Sequence, residues 1–138
     1  MKNLKARSFV TIMVIIAISS LLLRFGIEKV IEITISQNES NAQGTLRLIS
    51  AALENFAKDH LGAYPNNLSL LTQGTPSYLD EDYTNKSTIK GYDFSCPRLE
   101  ASGYSCTAVA VKCGLSGKMI YSVSTGGLFI SEECSKRE

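Results

Sequence analysis

The chain has 138 residues, 14 Lys and Arg against 13 Asp and Glu, one His, four Cys and no Trp, which is enough for one small domain beside a membrane segment. A formal net charge of +1 with only 20% charged residues excludes the strongly basic face of a nucleic-acid binder and the charge excess of a disordered tail.

Charge and apolarity are unevenly placed. Lys2, Lys5 and Arg7 come first without an acid, and residues 8–23, SFVTIMVIIAISSLLL, are uncharged until Arg24. As a helix this run rises about 24 Å against a hydrocarbon core of roughly 30 Å; with Arg24 snorkelling, Phe25 to Ile27 lengthen it enough to cross. The core is followed by Leu21, Leu22, Leu23 and Arg24 rather than a small-x-small cleavage site, so a retained anchor is expected over a cleaved signal peptide. The basic tip places the N-terminus in the cytoplasm by the positive-inside rule. The expected division is a basic cytoplasmic leader over 1–7, a transmembrane helix over 8–27 and an extracytoplasmic domain over 28–138.

From Ile27 the pattern stays helical. Ile27, Val30, Ile31 and Ile35 share a stripe, and Ala42, Leu46, Ile49, Leu53, Phe56 and Ala57 recur at three- and four-residue steps, which predicts an amphipathic helix with one face covered. No Pro precedes Pro65, so span and amphipathic segment read as one rod from about Ser8 to Leu61, weakest at Gly26 and Gly44. His60 in the last turn and Gly62 after it suit a helix C-terminus, which makes His60 a dipole partner rather than a catalyst.

Residues 62–89 mix Pro, Gly, Asn and Ser with short apolar groups and read as a loop with one short helix over Leu68 to Leu71. Asp80, Glu81 and Asp82 lack the spacing and glycine turn of a calcium loop and are expected to be a solvated turn. Strand-like runs follow over Gly91 to Cys96, Tyr104 to Lys112, Lys118 to Ser124 and Leu128 to Ser131, joined by Gly-containing turns, a pattern for an antiparallel sheet. The fold class is therefore α+β: a long N-terminal helix, membrane-spanning and then amphipathic, packed on a four-stranded antiparallel sheet.

Cys96, Cys106, Cys113 and Cys134 crowd the last third of the chain without a Cys-x-x-Cys pair, which predicts disulfides in an oxidising compartment rather than zinc. Of three connectivities, Cys96 with Cys106 and Cys113 with Cys134 is favoured, because each pair brackets a hairpin or its end. With one His, no glycine-rich phosphate loop and no Cys–His ligand spacing, the sequence offers no catalytic, cofactor-binding or metal-ligating set. Interaction surfaces are expected instead of an enzyme, and no cofactor.

The run NESNAQGTLRLISAALENFAKDHLGAYPNNLSLL at 38–71, the downstream GYDFSC, GYSCTAVAVKCG and STGGLFISEEC, and MVIIAI at 13–18 together resemble the type IV pilin and type II secretion pseudopilin family. The resemblance implies a pilin-like subunit that waits in the bacterial inner membrane and then packs its apolar helix into the centre of a filament, a pilus or a protein-secretion pseudopilus; the small chain, without an extended loop between its cysteines, leans towards a minor subunit. Its partners would be other pilin or pseudopilin subunits, the inner-membrane assembly platform, prepilin peptidase and membrane lipid, with no nucleic acid. Aligned on MVIIAI, Ala6 takes the pre-cleavage position, where the family usually has Gly. Arg7 takes the mature end, and Thr11 the position of the family's glutamate. The filament reading makes Phe9, Thr11, Met13, Ile16 and Leu23 candidate packing residues. The alternative is a membrane-anchored binding domain of pilin ancestry that never polymerises.

Overall fold

A computed structural model describes residues 2–135 of the chain, with side chains described from Ser8 to Ser135. Its elements are α1 (Lys2–Asp59), α2 (Ser69–Thr72), a 3-10 turn (Tyr83–Asn85), β1 (Tyr92–Glu100), β2 (Gly103–Ala110), β3 (Met119–Ser124) and β4 (Leu128–Glu133). The chain forms two compact units, one ending at Thr34 and the other starting at Ile35.

The first unit is helix alone, and every described side chain from Ser8 to Val30 is exposed. Three of its hydroxyls return to the helix's own carbonyls: Ser19 Oγ donates to Ile15 O at 2.8 Å, Ser20 Oγ to Ala17 O at 2.9 Å and Thr34 Oγ1 to Val30 O at 2.8 Å. Such back-bonding hides a polar group that hydrocarbon would otherwise leave unpaired. The helix continues through Gly26 and Gly44, the two positions expected to be weakest.

The second unit is an α+β domain. Its sheet is a meander in the order β1-β2-β3-β4 with every neighbouring pair antiparallel, and residues of α1 from Ala42 onward share one core with it. Ala42, Leu46, Ile49, Ala52 and Leu53 cluster with Tyr92, Phe94, Tyr104, Cys106, Ala108, Ala110, Tyr121 and Val123, closed at one side by Leu68, Leu71, Leu79 and Tyr83. Along β2, Cys106, Ala108 and Ala110 alternate with Thr107 and Val109, so by residue type both faces are fairly apolar or small. Burial separates them, because Cys106, Ala108 and Ala110 point inward while Val109 is 40% exposed. The inner alanines let the helix approach the sheet where larger residues would hold it off.

β1 runs further than expected, to Glu100, through a bulge. Ser95 pairs with Thr107 but Arg98 with Ser105, so Cys96 and Pro97 both stand opposite Cys106. Pro97 has no N–H for the ladder, and a bulge on an edge strand is where a proline is tolerated. The Cys96–Cys106 disulfide crosses at this point, and Cys113–Cys134 ties the end of the chain to the β2–β3 loop. Both are the pairs favoured from the sequence.

The end of α1 differs in detail from expectation. Leu61 takes the left-handed conformation at φ 57°, and Gly62 N–H donates to Ala57 O at 2.7 Å. That is the six-residue closure of a Schellman motif, with Leu61 as well as Gly62 (φ 87°) at positive φ.

Candidate functional site

The first candidate surface is the apolar helix of the first unit, long and apolar enough to cross a membrane. Phe9, Met13, Ile16 and Leu23 are 64%, 56%, 60% and 67% exposed. At about 100° per residue these four fall within roughly 80° of arc, and Thr11 falls on the opposite side. Exposure does not choose among faces, since Val10, Val14, Ile15, Ile18, Leu21 and Leu22 are equally open. The Arg24–Glu28 and Lys29–Glu32 pairs beyond Leu23 are exposed at both partners and add little to stability. The candidate processing residues Ala6 and Arg7 lie outside the residues with described side chains.

In the second unit the polar contacts concentrate on Glu54, a residue that sequence periodicity did not single out. Its Oε1 accepts from Tyr104 O–H at 3.0 Å and from Gly126 N–H at 2.8 Å, and Tyr64 O–H reaches its two oxygens at 3.2 and 3.1 Å. Ser50 Oγ lies 2.8 Å from the Tyr104 hydroxyl. One carboxylate thus joins α1 to the post-helix loop, to β2 and to the β3–β4 turn, using charge-assisted bonds. Burial and the adjoining carboxylate push the Tyr104 phenol up to about 12, and burial first, then Glu54, raises Tyr64. The available signal was Ser50 and Glu54 four residues apart on the border of the apolar stripe.

A second polar seam holds the start of the unit. Asn38 Nδ2 donates to Ser116 O at 2.9 Å, and Lys118 N–H donates to Glu39 Oε1 at 2.7 Å. The Cys113–Cys134 disulfide lies across the same loop, so the C-terminal staple and the helix grip it from two directions.

His60 sits as expected for a helix end: its Nδ1 is 2.8 Å from Phe56 O and its ring stacks on Phe56 at 3.8 Å. The acidic turn is satisfied internally. Asp80 accepts from Tyr83 O–H at 2.9 Å, Asp82 caps the 3-10 turn through Thr84 N–H at 3.0 Å, and Glu81 pairs with Lys86. Among the described residues no group of three His, Cys, Asp or Glu is arranged to hold a metal ion. Compared with known proteins, the chain matches no family model, no curated protein and no solved structure.

Proposed function

We propose that this chain is a structural subunit, of the minor kind, of a type IV pilus-like or type II secretion pseudopilus filament. It would wait in the inner membrane as a single-pass protein with a cytoplasmic N-terminus and an extracytoplasmic domain. The observation that supports this most is the nature of α1. Its residues from Ser8 to Val30 are uniformly exposed and largely apolar, while its residues from Ala42 onward belong to the core of a disulfide-closed α+β domain. Such a surface needs lipid or other helices around it. Exchange of lipid for neighbouring subunits keeps it covered through packing rather than through a new hydrophobic gain. The partners in this reading are other pilin-like subunits, an inner-membrane assembly platform and prepilin peptidase.

Thr11 supports the second reading, a domain that stays on its anchor. A carboxylate in apolar surroundings is costly unless paired, and that cost gives a family subunit its attraction to a neighbour's N-terminus; a threonine at this position supplies neither. Intact-mass and N-terminal analysis of protein recovered from membranes without reductant separates the two. Loss of residues 1–6, leaving Arg7 at the new terminus, supports the filament subunit. Retention of Met1 together with two disulfides supports the anchored domain and overturns processing.

A further inference from the structure

Away from the apolar helix and the Glu54 contacts, the second unit carries a cleft of about 420 Å³, within the size range of small-ligand sites. Phe56, Asp59 and His60 line it from the last turn of α1, and Leu70, the 74–77 loop and Tyr78 line it from across. The ring of Phe56 meets Tyr78 edge-on at 5.6 Å and stacks with His60, so three aromatic groups in contact line the cleft. Tyr78 O–H donates to Asp59 Oδ2 at 2.6 Å, which fixes that carboxylate and leaves its other oxygen for a ligand. His60 spends Nδ1 on the Phe56 carbonyl; with the proton there, its remaining ring nitrogen is an acceptor.

The chemistry of the lining has one sign. It holds a carboxylate, an imidazole whose free nitrogen accepts when the proton is on Nδ1, aromatic rings and the negative end of a long helix, and neither Lys nor Arg. Ring faces attract cations through their quadrupole, and a helix C-terminus favours positive charge. We propose that this cleft binds an organic ammonium or guanidinium group, carried either by a small free amine or by a Lys or Arg side chain of a partner. This holds whether or not the chain polymerises.

The test is titration of the full-length chain in detergent micelles, following the aromatic NMR signals of Phe56, His60 and Tyr78. Choline is compared with its neutral isostere 3,3-dimethylbutan-1-ol and with N-acetyl-lysine methylamide. Saturable shifts at millimolar choline, with the isostere weaker by about fivefold or more, are expected from one cation–aromatic contact plus a carboxylate. Asp59→Asn weakens choline by a similar factor, whereas Tyr78→Phe, which keeps the ring and frees Oδ2, binds at least as well as the unaltered chain. Tighter binding of the lysine derivative than of choline assigns the group to a partner side chain, and the reverse order assigns it to a free amine. Equal binding of choline and its isostere, no saturation, or an Asp59→Asn variant that keeps a native spectrum and full affinity overturns the proposal.

Discussion

The Tyr104 hydroxyl of β2 donates to Glu54 of α1 at 3.0 Å, across 50 residues of sequence, and the same carboxylate takes Tyr64 O–H and Gly126 N–H. Three donors from three segments therefore depend on one ionised acceptor. Glu54→Gln keeps one acceptor oxygen but replaces the other by an amide donor, against the Tyr64 hydroxyl if it takes the place of Oε2, and it removes the charge that strengthens these bonds. We expect a loss of about 1–3 kcal/mol in denaturant unfolding of the detergent-solubilised chain. Tyr64→Phe, which removes a single donor to a carboxylate that keeps two others, should cost less.

The phenols give a pH prediction. All six tyrosines lie in the second unit, and each has its ionisation raised, with burial or a carboxylate partner as the leading cause. A phenol whose folded value exceeds its unfolded value stabilises the fold fully below the unfolded value near 10, and that contribution disappears as pH rises through the folded value. For Tyr104 and Tyr83 the window runs from 10.0 to about 12. The domain should keep its stability up to about pH 10 and unfold cooperatively above it. Tyrosinate absorbance should rise together with the loss of near-ultraviolet circular dichroism; independent titration of the phenols without unfolding would contradict this.

Gly117 is set by a close approach rather than by its backbone angle. A Cβ there would collide with the Tyr92 hydroxyl, and Tyr92 is fully buried with its O–H donating to Met119 O at 2.8 Å. Gly117→Ala must displace either the ring or the loop held by Asn38. A cost of about 1–3 kcal/mol is expected from such overpacking, read as a lower denaturation midpoint. Tyr92→Phe introduced together with Gly117→Ala should recover part of that loss, since the hydroxyl is the nearest atom.

How much of this was legible depends on sequence distance. The stripe from Ala42 to Ala57 could be read because its period is local, and all of it except Phe56 is buried. The strands and both disulfides followed from turns and hairpin brackets of similarly short range. The bulge had a local signal in Pro97, which cannot donate to a ladder, yet the strand beyond it was missed because the proline reads as a stop. Glu54 was hard to read, since its partners lie 10, 50 and 72 residues away and its one local signal, the four-residue step from Ser50 on the border of the stripe, does not name them. Gly62 could be read as a helix-end glycine and does take positive φ, whereas nothing local marked Leu61 before it as left-handed too. For the apolar helix, composition identified the surface, and uniform exposure leaves the choice of face to experiment.

The two disulfides should differ in weight. The pair Cys113–Cys134 spans 21 residues and Cys96–Cys106 spans 10, and the constraint on the unfolded chain grows with the loop closed. The longer bridge should contribute about 3 kcal/mol and the shorter one slightly less. Replacing Cys113 and Cys134 together by Ser also releases the loop that Asn38 and Glu39 hold. Hydrogen exchange should therefore accelerate at Ser116 to Lys118 before it does in β2, where the Cys96–Cys106 bridge and both neighbouring strands remain.

The filament reading makes a prediction about faces of the apolar helix. Phe9, Met13, Ile16 and Leu23 fall on one side, whereas Ile15, Ile18 and Leu22 fall on the other. Substituting Phe9, Met13, Ile16 and Leu23 by Ser should prevent copolymerisation without unfolding residues 40–138, because none of them contributes to the domain core. Substituting Ile15, Ile18 and Leu22 instead lowers the hydropathy of the span in a comparable way but spares that side. If the first set blocks incorporation and the second does not, with both still inserted in membranes, the stripe packs against other subunits. Normal incorporation of the first set would show that these side chains do not pack in a filament. Equal failure of both sets would assign the defect to membrane residence rather than to packing.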